Sequence, residues 1–180
     1  MDYVTRVLPA LSRGYGYYAN QGFNGFYNRL APGGDIGLFQ QPPASTAVST
    51  LTLVTAHVVL GATGWWLHRW HRRGGTESAW ALAIAWLATT LVSPIAWQHH
   101  FAPALFAFVR VVRALVDDPE LRRVRVVLLG GVAFVLMASY FEVRALQSVV
   151  ARLLASYVLY GALALGATLG LVAEARSSRR

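Results

Sequence analysis

Long apolar runs separated by short polar segments dominate this chain. A helix that crosses a bilayer needs roughly 18 or more nearly uncharged residues. Residues 46–67 contain one histidine as their only ionisable group, and residues 79–97 contain none. Two weaker runs contain arginines near their ends. The pattern predicts about five membrane-spanning helices, near residues 46–67, 79–97, 101–116, 124–141 and 150–173.

Composition agrees with this pattern, because 56% of the residues are hydrophobic and only 13% are charged, against about 25% charged in a soluble domain. We therefore expect an all-α integral membrane protein built as a polytopic helical bundle. The chain has no cysteine, which excludes disulfides, thiolate metal sites and cysteine nucleophiles. The expected surroundings are membrane lipid.

All sixteen basic residues are arginines, and they give the chain a net charge of +8. They lie between the apolar runs and not on one water-facing surface, so nucleic acid is not an expected partner. Three clusters lie near residues 69–73, 122–125 and 176–180, and five alternating spans bring all three to one side. Since arginines in short loops stay in the cytoplasm, residues 1–45 are predicted to be extracytoplasmic, residues 46–175 to form the bundle, and residues 176–180 to form a cytoplasmic basic tail.

The first polar stretch that suggests chemistry covers residues 20–30. On a helix it has two faces, an apolar stripe of Phe23, Phe26, Tyr27 and Leu30 and a polar stripe of Asn20, Asn24 and Asn28. One interpretation is a short helix at the membrane surface with its polar face in water. The other is that the carboxamides and Arg29 line a polar pocket, because Asn and Gln both donate and accept hydrogen bonds and suit sugar hydroxyls.

The second stretch covers residues 93–100, at the outer end of the second predicted span. Pro94 frees a backbone carbonyl that Ser93 can help to satisfy, and imidazoles titrate near neutral pH. His99 and His100 are therefore candidates for an acid, base or phosphate-binding role, with solvated turn histidines as the alternative. A metal site is disfavoured, because adjacent side chains on a helix point about 100° apart and no carboxylate neighbours them. His57, His68 and His71 are expected to carry no chemistry.

Together the two stretches resemble a known family. The residues Asn20-Gln21, Asn24-Gly25 and Arg29-Leu30 are similar to an "NQSlnG…RL" segment, and residues 93–100 are similar to an "SPxSWdHH" segment. Both segments belong to the polyprenol-phosphate-mannose-dependent α-mannosyltransferases, glycosyltransferase family 87. The order and separation of the segments also match. This chain departs from the family at Gly22, Ala96 and Gln98.

The resemblance implies a C-type glycosyltransferase fold in the cell membrane with its active site on the extracytoplasmic side. The implied reaction transfers mannose or a related hexose from a polyprenyl-phosphate donor to a lipid-linked or cell-envelope glycan. No separate cofactor is expected and no metal-binding residue is assigned, while the metal dependence of the reaction stays open. His99 and His100 become the candidate catalytic residues. The implied substrate-binding residues are Asn20, Gln21, Asn24, Arg29, Ser93, Trp97 and Gln98.

Two other classes stay open. Members of the family are about twice as long, and their acidic catalytic base lies upstream of the matching segments, so the chain is expected to correspond to a C-terminal half without that base. Neither Asp2 nor Asp35 stands in a matching context. A non-catalytic accessory or remnant membrane protein is therefore one alternative. A small transporter is the other, although such a protein needs ionisable groups near the bilayer midplane, where only His57 qualifies.

Overall fold

The computed structural model describes residues 3–32, 36–37, 45–74, 78–121, 124–139, 141 and 148–177. Over these residues the protein is all-α and contains no β-sheet. The eight α-helices are α1 (Leu8–Ser12), α2 (Phe23–Leu30), α3 (Thr46–Arg72), α4 (Ser78–Val92), α5 (Ala104–Asp117), α6 (Val124–Ala138), α7 (Val149–Leu154) and α8 (Tyr157–Ser177). Shorter helical turns cover Tyr3–Val7, Gln98–Phe101 and Pro119–Leu121.

Three helical segments are long and apolar enough to cross a membrane: Thr46–Arg72, Gln98–Asp117 and Tyr157–Arg176. The chain is therefore a multi-pass membrane protein. The other two predicted spans coincide with α4 and α6, which are apolar but have only 15 residues each. Such a helix is about 22 Å long, which is less than the roughly 30 Å of a bilayer core.

In two of the predicted spans the helix is interrupted although the apolar run of the sequence continues. One helix ends early, and the other is divided in two. α4 ends at Val92 and not at residue 97, because Ser93 and Pro94 follow; Ser93 Oγ donates to the carbonyl of Ile95 at 2.8 Å and thereby closes a turn. The last predicted span, 150–173, is divided at Ala155 and Ser156 into α7 and α8, so the prediction of one continuous helix there is wrong.

Long helices that follow one another along the chain run antiparallel, as short connections require. In α6 and α8, Gly161 faces Met137 while Gly130 faces Thr168, so the end of α6 meets the beginning of α8. The same end of the bundle carries the beginning of α3, the end of α4 and the beginning of α5. The core lies between α4, α5, α6 and α8, with Trp80, Leu87 and Leu165 among its buried side chains.

The described arginines of the spans lie mainly toward the opposite end of the bundle. Arg69 lies over the Trp65 ring at 5.4 Å near the end of α3, and Arg113 pairs with Asp117 at 3.6 Å near the end of α5. Arg125 begins α6 and Arg176 ends α8. Several features named from the sequence fall outside the described residues: Asp2, Asp35, Arg122, Arg123 and the tail beyond residue 177.

Candidate functional site

The two polar stretches singled out in the sequence contact each other directly. Asn20 and Trp97 form an isolated antiparallel bridge, and the backbone N–H of Gln21 donates to the carbonyl of Ala96 at 2.7 Å. The loop before α2 thus lies against the broken end of α4. Hydrogen bonds between segments more than 70 residues apart build this end of the bundle.

The Asn20 side chain is fully buried and joins the two stretches. Its Nδ2 donates to the carbonyls of Pro94 at 3.1 Å and Tyr15 at 3.0 Å, and its Oδ1 accepts from the N–H of Ala96 at 2.9 Å. The Pro94 carbonyl, which lies beyond the end of α4, therefore accepts from a side chain of the protein. All of these bonds are made within the protein.

Gln21 links the same loop to the junction between α7 and α8. Its Nε2 donates to the carbonyl of Ala155 at 2.7 Å and to that of Tyr18, and its Oε1 accepts from the N–H of Val158 at 3.2 Å. The first N–H groups of a helix have no partner within the helix, so a side chain from elsewhere in the chain caps α8. This contact explains why the helix begins again at Tyr157.

The polar face of α2 is turned inward. Asn24 and Asn28 are buried, and Asn28 Nδ2 donates to Asn24 Oδ1 at 2.7 Å and to the carbonyl of Arg13 at 3.1 Å. Asn24 Nδ2 in turn donates to Thr52 Oγ1 on α3 at 3.3 Å. The interpretation that this face meets water is wrong, because these carboxamides support neighbouring backbone and the side of α3.

Two glycines let the backbone approach this closely. Gly14 has φ of +67°, and a Cβ there would lie 1.6 Å from Asn24 Oδ1. A Cβ on Gly25 would lie 2.2 Å from the carbonyl oxygen of Asn20. Larger side chains therefore cannot occupy either position without displacing the loop.

Arg29 is a fully buried cation at the centre of this end of the bundle. Its Nη1 donates to the carbonyls of Asn20 at 2.6 Å and Tyr17 at 3.3 Å, and its Nη2 donates to Ser156 Oγ at 2.6 Å. Its Nε has no hydrogen-bond partner, and no described carboxylate pairs with the guanidinium. We call Asn20, Gln21, Asn24, Asn28, Arg29 and Ser156 the polar layer.

The two histidines lie beside the polar layer and are exposed. His100 Nδ1 accepts from the N–H of Trp97 at 3.2 Å, so a neutral His100 carries its proton on Nε2. Its ring stacks with that of Trp97, with centroids 6.5 Å apart, and meets the ring of His99 edge-on at 4.4 Å. The three rings form one aromatic group with the imidazoles toward the outside.

Of the remaining predicted residues, Ser93 has its side-chain hydrogen bonds to the described residues within its own turn. Gln98 is half-buried, and its Nε2 donates to the Tyr157 hydroxyl at the beginning of α8. Sequence reasoning did not identify Ser156, and it predicted for Tyr157 only packing between helices with its hydroxyl bonded to a neighbour, not a place at this site. No local signal marks them, because neither Gly nor Pro interrupts the run from residue 149 to 160.

A lateral apolar groove of about 470 Å³ lies near this end of the bundle, between α3, α4 and α8. Leu91, close to Pro94, and Ala162, in the second turn of α8, both line it. The groove continues toward Trp66 and Gly170. It therefore runs along the bundle from just below the polar layer.

The acidic residues in the described part of the chain are remote from His99 and His100. Asp117 ends α5, about 20 Å along that helix from its beginning, and Asp118 and Glu120 follow it. Glu174 lies near the end of α8. Within the described ranges, no group of three or more His, Cys, Asp or Glu side chains could hold a metal ion.

Comparisons with protein-family models, with curated proteins and with solved structures find no match to this chain.

Proposed function

We propose that the chain is part of a membrane hexosyltransferase that transfers mannose or a related sugar from a polyprenyl-phosphate donor to a lipid-linked or cell-envelope glycan. One observation carries the proposal. The stretch that contains Asn20 and Gln21 is hydrogen-bonded to the stretch that ends in His99 and His100, and both imidazoles are exposed beside that contact. These are the two stretches on which the family resemblance rests.

In this mechanism the acceptor oxygen bonds to the anomeric carbon while the bond from that carbon to the phosphate oxygen breaks. A base outside the described acidic residues takes the proton of the acceptor hydroxyl. His99 and His100 stabilise the charge that develops on the departing phosphate, either by hydrogen bonds or as cations. Groups placed where charge develops contribute most in the transition state. Trp97 and Gln98, which are partly exposed, contact the sugar.

The polar layer has a different role in the proposal. Asn20, Gln21 and Arg29 are fully buried, and their side chains bond to the protein. They hold the loop, the end of α4 and the beginning of α8 in place, and Asn24 and Ser93 extend this support. Because Arg29 is inaccessible, it does not touch the phosphate.

The apolar groove between α3, α4 and α8 fits the carrier lipid. Apart from Thr63 its lining side chains are hydrocarbon and aromatic, and its volume is about 470 Å³. Isoprene units are apolar and need no hydrogen-bonding partners. In the proposal the first units of the polyprenyl chain lie here, with the phosphate toward His99 and His100.

We propose the extracytoplasmic side for the polar layer, because the described arginines of α3, α6 and α8 lie at the other end of the bundle and positive charge is retained in the cytoplasm. Single-cysteine labelling tests this orientation in a chain that has no cysteine of its own. We expect Ala102→Cys to react from outside in intact cells and His71→Cys only after permeabilisation. The reverse pattern would contradict the orientation.

The experiment that tests the function measures sugar transfer by the complete protein in membranes, with His99→Ala and His100→Ala. We expect turnover from a polyprenyl-phosphate hexose to fall by about 10²-fold or more, the usual scale for one lost acid/base or electrostatic group. His68→Ala and His71→Ala are matched controls, because both histidines are exposed at the opposite end. Full turnover in the His99 and His100 variants, or equal turnover with a sugar nucleotide, would reject the proposal.

A non-catalytic accessory protein is the second candidate. The observation that favours it is that the polar layer bonds internally and that the described carboxylates lie at the far end of the bundle. On this alternative the histidine variants leave sugar transfer by the assembled complex unchanged. The transporter alternative has less support, because His57 is exposed on α3 and its Nδ1 bonds to the carbonyl of Leu53 at 2.8 Å, whereas functional ionisable groups within a membrane face the bundle interior.

A further inference from the structure

Helix α2 is amphipathic in the opposite sense to a helix that lies on a membrane surface. Its polar residues Asn24, Asn28 and Arg29 are buried, whereas Leu30 is 39% exposed and Phe26 is half-buried. A surface helix directs its polar face to water and its apolar face to lipid. Here the polar face contacts protein. Among the described residues, Leu30 and the half-buried Phe23, Phe26 and Tyr27 keep exposed surface that meets whatever surrounds the protein.

The contacts of α2 with α3 determine its depth. Tyr27 bonds to Thr55 Oγ1 at 2.6 Å and Asn24 bonds to Thr52 Oγ1 at 3.3 Å. A bilayer core needs about 20 helical residues, and the arginines begin at Arg69, so the stretch 49–68 is the latest that α3 can place in hydrocarbon. If the hydrocarbon begins at residue 49, Thr52 lies three residues and Thr55 six residues inside the edge of the hydrocarbon. These positions are about 5 and 9 Å deep. α2 is therefore level with the hydrocarbon of one leaflet.

A contact with α8 agrees with this depth. The rings of Phe26 and Tyr160 meet edge-on with centroids 6.5 Å apart, and Tyr160 belongs to the first turn of α8. α2 thus lies beside the ends of two membrane-spanning helices and not above them.

The polar layer explains how irregular backbone can lie at this depth. Hydrocarbon offers no hydrogen bonds, so non-helical backbone is tolerated there only where the protein satisfies it. The loop carbonyls receive side-chain donors. Asn28 donates to the carbonyl of Arg13, Asn20 to that of Tyr15 and Gln21 to that of Tyr18. Arg29 donates to the carbonyls of Tyr17 and Asn20. The side chains supply what water supplies to an exposed loop.

We infer that residues 13–32 form a re-entrant element that enters one leaflet and leaves on the same side, with the aromatic face of α2 against lipid acyl chains. The aromatic face consists of Phe23, Phe26, Tyr27 and Leu30. The inference depends on α3 crossing the membrane and not on sugar transfer, so either proposal can fail alone.

The test is a depth measurement by site-directed spin labelling in phosphatidylcholine vesicles. Leu30→Cys and Phe23→Cys each carry a nitroxide on the aromatic face, and collision with oxygen is compared with collision with a polar nickel complex. Val58→Cys, 63% exposed on α3, is the reference in hydrocarbon, and His71→Cys is the reference in water. A melting curve for each variant shows that it is folded.

We expect the Leu30 and Phe23 labels to collide with oxygen as the Val58 label does. Their collision with the nickel complex should be at least about fivefold lower than at His71, because a polar complex does not enter hydrocarbon. Nickel access equal to that at His71 would place α2 in water and overturn the inference. Low access to both reagents would mean that a protein partner covers the face, and this result would overturn it as well.

Discussion

Helices α2 and α5 are both strongly amphipathic, yet they bury opposite faces. α2 buries Asn24, Asn28 and Arg29. α5 buries Ala104, Ala107, Val111 and Ala114 and exposes larger side chains such as Phe106. The exposure of one arginine in each helix shows the contrast. The Arg29 side chain in α2 is inaccessible, whereas the Arg113 side chain in α5 is 74% exposed.

The physical reason lies in what each helix packs against. α5 packs against helices whose backbone groups are already bonded, and in a membrane such contacts favour small residues that allow close packing. Besides the side of α3, the polar face of α2 packs against the preceding loop and the junction of α7 and α8, where carbonyls and a hydroxyl need donors. Amphipathic spacing thus predicts that a helix has two faces, but the needs of its neighbours decide which face is buried.

The largest expected effect comes from removing the buried cation. Arg29→Met removes the side-chain donor of the Asn20 carbonyl and of the Ser156 hydroxyl, whereas the Tyr17 carbonyl keeps its bond from the N–H of Asn20. Each unsatisfied buried group costs about 1–3 kcal/mol, so we expect the free energy of unfolding to fall by about 2 kcal/mol or more. Arg113→Met is the matched control, and its exposed pair with Asp117 is worth about 0–1 kcal/mol.

Unfolding of both variants in the same detergent micelles measures the difference. If Arg29→Met were as stable as Arg113→Met, the two helices would not differ energetically and the polar layer would not hold this end of the bundle together.

Two glycines give the next comparison. An alanine in a helix is favoured over glycine by up to about 1 kcal/mol, and Gly64 in α3 has no atom within 4 Å of an added Cβ, so Gly64→Ala should be neutral or stabilising. Gly25→Ala in α2 should destabilise by about 1–3 kcal/mol, because its Cβ would lie 2.2 Å from the Asn20 carbonyl. The midpoint of thermal unfolding should stay unchanged or rise for Gly64→Ala and should fall for Gly25→Ala. A stabilised Gly25→Ala would mean that α2 does not pack against the loop as described.

The smallest expected effect is that of the hydroxyl pair between α2 and α3. Tyr27→Phe and Thr55→Val each remove one partner of the 2.6 Å hydrogen bond. Hydrogen bonds between membrane helices average about 0.6 kcal/mol in double-mutant cycles. We expect a coupling energy of about that size from the two single variants and the double variant. Strict additivity would argue against the contact that sets the depth of α2.

Much of the fold could be read from local pattern. The apolar runs around Thr46–Arg72 and Tyr157–Arg176 predict membrane helices, because the length and hydrophobicity of a run are properties of that run alone. Pro94 marks the break after α4 for an equally local reason, since it lacks an N–H. The sequence also located the two stretches that meet at the candidate site, because clustered Asn, Gln and His residues are unusual in an apolar chain.

Only the tertiary structure decided the rest. The division at Ala155 and Ser156 has no local signal, because it depends on the Gln21 side chain capping α8 from 137 residues away. The burial of Arg29 depends likewise on carbonyls and a hydroxyl brought together by folding. Local sequence thus determined which segments are helical and apolar, whereas the direction in which polar side chains point was decided by the backbone groups that needed partners where water cannot reach.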